Sequence, residues 1–314
     1  MDIQATSLQT LFGALSAIIL FIYGLQGFSR ELRAVGGLAL QFWLGRVTAN
    51  RWLGFTVGAL ATAVVQSSSA ITSLTAAFVD ASAISFRASL GVLLGSNVGT
   101  TATAWLVSLK LTDIGPFFIV LGALISILPK RVSVIGKAVF YFGLIFFALD
   151  LISAELTPLR EQPEFSKWLS LAQAPWLGLA TGLVFTALVQ SSSVTTGVTI
   201  LLVQQGMLPA ESAIPIVVGA NVGSTSTALL ASIGMNAVAR ATAIANFLFN
   251  VAGAVIFFPF LQQFAHAMVQ LAGDPGMAVA WAHLLFNLTT ALVFLTSMDW
   301  VEPRLQTLLL RNRS

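Results

Sequence analysis

Long apolar runs that never settle into an alternating pattern are what limit this 314-residue chain most. A helix needs about 20 apolar residues to cross a bilayer core. Residues 8–28, 88–109, 114–129, 138–154, 211–232, 241–266 and 277–298 each read as a candidate span. An outer-membrane barrel would instead show short strands of dyad-patterned hydrophobicity. Composition closes the alternatives: 57% of residues are apolar and 9% charged, with a mean hydropathy of +0.90. A soluble domain carries about 25% charged residues, so soluble, disordered, collagen-like and coiled-coil folds are excluded. The expectation is an all-α polytopic membrane protein, one transmembrane domain over residues 1–314, in the cell inner (plasma) membrane.

Charge orients the spans. Fifteen Lys+Arg against twelve Asp+Glu give a net charge of +3, and the basic residues gather in short loops, where their role is topological. Arg30, Arg33, Arg46, Arg51, Lys130, Arg131, Lys137, Arg240, Arg304, Arg311 and Arg313 are assigned to the cytoplasmic side. Lys110, Arg160 and Lys167 fall opposite, the last two diluted by Glu155, Glu161 and Glu164. The C-terminus is therefore expected inside and the N-terminus outside. The first run lacks a basic flank and a cleavage-like site, so it reads as a retained span. With no cysteine, disulfides, iron–sulfur clusters and thiolate metal sites are excluded.

A shift of 124 residues superposes the chain on itself. Trp52-Leu53-Gly54 falls on Trp176-Leu177-Gly178, and Val65-Gln66-Ser67-Ser68-Ser69 on Val189-Gln190-Ser191-Ser192-Ser193. Without a gap, Gly95-Ser96-Asn97-Val98-Gly99-Thr100-Thr101 meets Gly219-Ala220-Asn221-Val222-Gly223-Ser224-Thr225. Ser29, Glu31 and Leu32 meet Ser153, Glu155 and Leu156. The duplication covers about 12–110 and 136–234, followed by C-terminal spans at about 241–298. Arg30 and Arg33 end the first copy's span inside, whereas Ala154 and Thr157 face outward. The copies therefore cross in opposite senses, a plan used by transporters that hold substrate between the repeats.

Each copy also contains an apolar stretch, about 53–79 and 177–203, interrupted by Gln-Ser-Ser-Ser. Four neighbours cannot share one face of a regular helix, so the tetrads predict helix–break–helix hairpins. Freed backbone in a membrane must line a cavity, and a half-helix N-terminus attracts anions. Hydroxyl, amide and carbonyl oxygens suit Na⁺, while Gln and Asn amides can donate to an anion. Helix packing would explain one such tetrad; two in register, each followed by Asn-Val-Gly, favour a site. No Lys or Arg lies inside either motif, so an anion would depend on dipoles, hydroxyls and co-bound cations. Arg87 and Arg240 read as boundary residues able to approach it, and Asp80 and Asp150 as interfacial. His266 and His283 lack the partners of a hydrolytic triad, so no enzyme activity is expected. Asn250 and Asn287, in the echoing segments Asn246-Phe-Leu-Phe-Asn250 and His283-Leu-Leu-Phe-Asn287, read as interhelical hydrogen-bonding groups.

The duplicated Gln-Ser-Ser-Ser, each copy followed by Gly-x-Asn-Val-Gly-[Thr/Ser]-Thr, closely resembles the type II sodium/phosphate cotransporter family and its bacterial relatives. The resemblance implies Na⁺-coupled transport of inorganic phosphate, with two re-entrant hairpins facing each other across the site. Carried over, it places phosphate on Gln66, Ser67, Ser68, Ser69, Gln190, Ser191, Ser192 and Ser193, with Asn97 and Asn221 as further candidates. Na⁺ would be held among Gln66, Ser67, Thr72, Thr100, Thr101, Gln190, Ser191, Thr196, Ser224 and Thr225. Many bacterial relatives carry a PhoU-like regulatory domain, which is not expected here, and some are associated with efflux. No organic cofactor or nucleic acid is implied. Two other readings stay open at this stage, a carrier or exporter of another small oxyanion and a non-transporting membrane scaffold or sensor.

Overall fold

The computed structural model describes residues 2–46, 50–109, 111, 113–129, 131–158 and 174–310. Lys110, Lys130, Arg160, Glu161, Glu164, Lys167, Arg311 and Arg313, used above for orientation, lie outside them. All regular structure among the described residues is helical: α1 (Asp2–Arg46), α2 (Arg51–Val65), α3 (Ser68–Asp80), α4 (Phe86–Gly99), α5 (Thr101–Ser108), α6 (Gly115–Ser126) and α7 (Arg131–Leu156). The second half continues with α8 (Pro175–Val189), α9 (Ser192–Gln204), α10 (Ala210–Ala231), α11 (Ala237–Phe257), α12 (Leu261–Ala272), α13 (Pro275–Thr296) and α14 (Met298–Leu310). Among the described residues, six helical stretches are long and apolar enough to cross a membrane: Phe12–Val35, Phe86–Ser108, Val132–Leu156, Ala210–Ala231, Ala237–Ala272 and Pro275–Thr296. The protein is an all-α, multi-span membrane protein.

Several expected boundaries are corrected. The first helix does not stop at residue 28 but runs to Arg46, because no Gly-Pro or cap signal interrupts Ser29–Arg33. Residues 114–129 do not make a span. Pro116 and Pro129 bracket a helix of 12 residues, about 18 Å long against about 30 Å of hydrocarbon. The 88–109 span is interrupted for one residue at Thr100, which keeps right-handed backbone at φ −59°, ψ −26° and whose Oγ1 turns back to the Ser96 carbonyl at 3.1 Å, so Phe86–Ser108 remains one span. The 241–266 span extends to Ala272 through a short 3₁₀ joint, Phe258–Phe260, centred on Pro259, which cannot donate to the helix ladder.

The two halves are built alike. α2 packs along α4, and α8 along α10. The duplicated glycines explain how closely. A Cβ at Gly58 would overlap the Val92 carbonyl oxygen, and one at Gly182 the carbonyl of Ile216, its repeat equivalent. Gly95 and Gly219 are pressed in the same way against Phe55 and Leu179. Membrane helices lack a hydrophobic drive toward each other and associate through such small-residue contacts. α1 packs against α7, α3 against α10, and α9 against α5. Each hairpin's second arm thus leans on the other copy.

α14 is tied back by charge. Arg51 meets Asp299 at 3.0 Å, and Arg87 pairs with both Asp299 and Glu302. Arg87 and then Arg51 hold the Asp299 carboxyl below its usual range. A depressed carboxyl stabilises the folded contact above its unfolded pKa, and that contribution is lost as pH falls through the lowered value. Protection of α14 amides, taken relative to the intrinsic exchange rate at each pH, is therefore expected to hold from neutral pH down to the ordinary carboxylate range, near 4, and to fall only in stronger acid. In a second test, Gly219→Ala, which forces a Cβ onto backbone, is expected to lower stability by about 1–3 kcal/mol in thermal unfolding in detergent. Gly234→Ala, where no atom lies within 4 Å of the new Cβ, is expected to have no such cost.

Candidate anion site between the repeats

The two tetrads break their helices in the same way. Gln66 ends α2 at φ 56°, ψ 29°, and Gln190 ends α8 at φ 58°, ψ 26°, both left-handed. Each donates its backbone N–H to a threonine carbonyl four residues earlier, Thr62 or Thr186, at 2.7 Å. The next residue swings into extended backbone, Ser67 at φ −149° and Ser191 at φ −147°, and caps the following helix. Ser67 Oγ accepts from the Ala70 N–H at 3.3 Å, and Ser191 Oγ from the Val194 N–H at 3.4 Å. Left-handed backbone costs a residue with a Cβ roughly 1–2 kcal/mol, which glycine avoids. In a chain with 25 glycines, both copies nevertheless keep glutamine there, so the amide side chain is what the position retains.

The breaks converge. A cavity of about 240 Å³ is lined by Gln66, Ser67, Ser68 and Ser69 from one hairpin and by Val189, Gln190, Ser191, Ser192 and Ser193 from the other. A liquid water claims roughly 30 Å³, so the space admits a small hydrated ion. Both α3 and α9 begin at its wall. The first-turn N–H groups of Ser68, Ser69, Ser192 and Ser193 have no intrahelical acceptor. Two half-helices therefore direct their positive ends at one space.

One polar link joins the halves at this point. Thr103 Oγ1 donates to Gln66 Oε1 at 2.6 Å and lies 3.2 Å from Ser193 Oγ. Its repeat equivalent is Thr227, and the Thr227 hydroxyl is buried with no hydrogen-bond partner. The equivalent contact, to Gln190 and Ser69, is not made. A smaller inequality has a sequence cause. Thr62 Oγ1 pairs with Ser96 Oγ at 2.8 Å; alanine replaces that serine at 220 in the second copy, and Thr186 turns to Thr195 at 2.6 Å.

The remaining expected residues stand elsewhere. Neither Asn97 nor Asn221 lines the cavity. Asn97 Nδ2 donates to Asn246 Oδ1 at 3.3 Å, and Asn221 Oδ1 is 3.1 Å from His283 Nε2. Asn246 and His283 head the two echoing segments, so each repeat's asparagine is met by the matching position of a C-terminal span. Asn250 and Asn287 do not bridge helices as expected. Their amides donate at 2.9 Å to the Asn246 and His283 carbonyls, inside their own helices. Ser224 and Thr225 bond carbonyls of the preceding turn, as Thr100 and Thr101 do. Thr72 is buried, and the buried Thr196 hydroxyl has no partner, as have His283 Nδ1 and Asn221 Nδ2. Arg87 is occupied by α14, and Arg240 bonds the Ile233 and Met235 carbonyls.

The cavity wall nevertheless includes an arginine from outside the motifs. α1 contributes Gln26, Ser29 and Arg33 to the cavity wall. Positions 26, 29 and 33 fall on one helix face by their three- and four-residue spacing, a polar stripe in an otherwise apolar span. Counting Arg33 only as a topological charge concealed it. Its Nε bonds the Ser29 carbonyl at 3.3 Å, and the Ser29 hydroxyl is buried and unpartnered.

The profile of the family described as Na⁺/Pi-cotransporter matches residues 20–154 and 160–273. The chain belongs to that family. The family is one of transporters, not enzymes. An uncharacterised Bacillus subtilis protein, YqeW, is 31% identical over 281 residues, covering 88% of this chain and 91% of the relative. The Escherichia coli K12 putative inorganic phosphate export protein YjbB is 31% identical over 293 residues, 92% of this chain. This chain spans about half the length of that relative, 54%. Human sodium-dependent phosphate transport protein 2B is 35% identical over 98 residues, 30% of this chain and 14% of the relative. No solved structure matches the chain.

The unequal threonines give a direct test. Thr103→Val is expected to cost about 1 kcal/mol, the worth of an ordinary hydrogen bond. Thr227→Val, which removes a buried unpaired hydroxyl, is expected to be neutral or stabilising. Unfolding midpoints of the two variants in one detergent decide it; equal losses would contradict the asymmetry.

Proposed function

We propose that the protein carries inorganic phosphate across the cell membrane, holding it between the Gln66–Ser69 and Gln190–Ser193 tetrads, with Na⁺ as coupling ion. The observation that carries this reading is the single cavity into which both helix starts and Arg33 project. Phosphate is a tetrahedral anion whose oxygens each accept several hydrogen bonds. Serine hydroxyls, first-turn N–H groups and the Gln190 amide surround it with donors, with Gln66 keeping one amide hydrogen beyond its bond to the Ala63 carbonyl, and the guanidinium adds the one full positive charge of the lining. The printed names of the E. coli and human relatives, phosphate export and sodium-dependent phosphate transport, support the same cargo. Na⁺ would take the tetrad hydroxyl and carbonyl oxygens nearest the breaks, Gln66, Ser67, Gln190 and Ser191, with Thr196 the expected oxygen that stays unpartnered. Thr72, Thr100, Thr101, Ser224 and Thr225 act in this reading as the packed wall behind them, and Asn97 and Asn221 as clamps to the C-terminal spans.

α2, α3, α8 and α9 have 15, 13, 15 and 13 residues, each too short to span alone. We read them as re-entrant hairpins of two inverted copies, covering about 12–110 and 136–234, in an inner-membrane protein with its C-terminus inside. Alternating access follows: the cavity faces one side, then the other, as one bundle rocks against its partner. The made Thr103 link and the unmade Thr227 link fit one end state of such an exchange.

Radiolabelled phosphate flux in proteoliposomes with and without a Na⁺ gradient tests the reading. Flux driven by Na⁺ is expected, and flux indifferent to Na⁺ would remove the coupling. Equal inhibition by excess sulfate would broaden the cargo to oxyanions in general. Gln190→Gly is expected to keep or raise the unfolding midpoint, since glycine suits the left-handed break, while abolishing phosphate binding. A variant that binds phosphate normally would show that the amide is not a ligand.

A further inference from the structure

A second cavity, also about 240 Å³, lies at the far end of α9, its wall completed by residues of α5 and α7. Its wall includes Leu149, Asp150, Ser153, Leu201, Gln204 and Gln205. The 124-residue shift carries Leu25, Gln26 and Ser29, which line the tetrad cavity, onto Leu149, Asp150 and Ser153. The two spaces therefore share repeat-equivalent wall positions on α1 and α7, while the rest of their linings differ. They differ in that only the first reaches the tetrads. Along α9 the second begins at Leu201, about 12 Å beyond Ser193 at 1.5 Å per residue. Between them stands Phe21, fully buried. Its ring is seated on Gly197, where an added Cβ would come within 2.7 Å of it and 3.7 Å of Val107, a wall residue of the second cavity.

The equivalent walls carry opposite charge. Where the tetrad cavity has Gln26 and Arg33, the α7 positions are Asp150 and Thr157. Among the described residues, Asp150 is the one charged lining group of the second cavity, and it accepts the backbone N–H of Asp113 at 3.3 Å. We propose that the Asp150 cavity is the closed mouth of the permeation path on the opposite membrane face, and that it is selective for cations where the Arg33 mouth is selective for anions. With the proposed function as its premise, this makes phosphate bind more tightly from the Arg33 side than from the Asp150 side. The driving gradient still sets the direction of net flux. The carboxylate gathers Na⁺ at the mouth that repels the anion, because a charge in a low-dielectric vestibule focuses ions of the other sign.

The absence of cysteine gives a clean background for accessibility measurements. Gln26→Cys and Ser153→Cys, made singly in the full chain, are exposed to membrane-impermeant cationic and anionic thiosulfonates in right-side-out and inverted vesicles. Leu111→Cys, on the same wall as Ser153, serves if Ser153→Cys does not fold. Modification from opposite faces is expected, with the cationic reagent about tenfold faster at position 153 and the anionic one faster at position 26. Asp150→Asn and Arg33→Gln are expected to erase the respective preferences. Labelling of both positions from one face, or a preference that survives Asp150→Asn, would overturn the proposal. Phosphate is expected to protect the Gln26→Cys variant. Opposite-face labelling without protection would sink the phosphate reading and leave the two-mouth assignment standing.

Discussion

A helix interrupted inside hydrocarbon leaves backbone groups that lipid cannot satisfy, so the interruption has to face a polar space. That requirement governs the molecule. Gln66 and Gln190 turn the chain left-handed at a cost that a glycine would have avoided, and serine caps restart the helices at once. The two breaks can share one polar cavity only if the broken helix pairs meet, and they meet because each second helix leans on the opposite copy. Close packing of α2 on α4 and of α8 on α10 holds the arms at that spacing, through glycines that admit backbone to backbone.

Much of this was readable in the chain. A repeated tetrad incompatible with one helix face predicted both breaks, and the constant offset predicted that they are equivalent. The family likeness added cargo and ion, which spacing alone did not give. Boundaries were read less well. α1 continues past residue 28 because helix-forming polar residues carry it on, whereas hydropathy falls there. α6 is apolar enough to span but is cut short by prolines, so composition and length gave conflicting signals.

The shared cavity was legible in its tetrads and not in its rim. Arg33 was counted for membrane orientation, and that use obscured its place on the same face as Gln26 and Ser29. Asn97 and Asn221 were read as ligands because amides suit ions, but the same donors and acceptors suit a neighbouring helix. Their actual partners, Asn246 and His283, come from segments whose likeness was visible, although the pairing across the fold was not. A one-dimensional pattern records which groups recur; it does not record which of two polar neighbours each will satisfy.

The joint at Thr100 has a consequence of its own. In the first copy the long helix is divided there, while its counterpart α10 runs unbroken through Ser224. The interruption falls where the copies also differ in sequence, threonine against serine, so the two arms match in register and packing partner without being identical as rods.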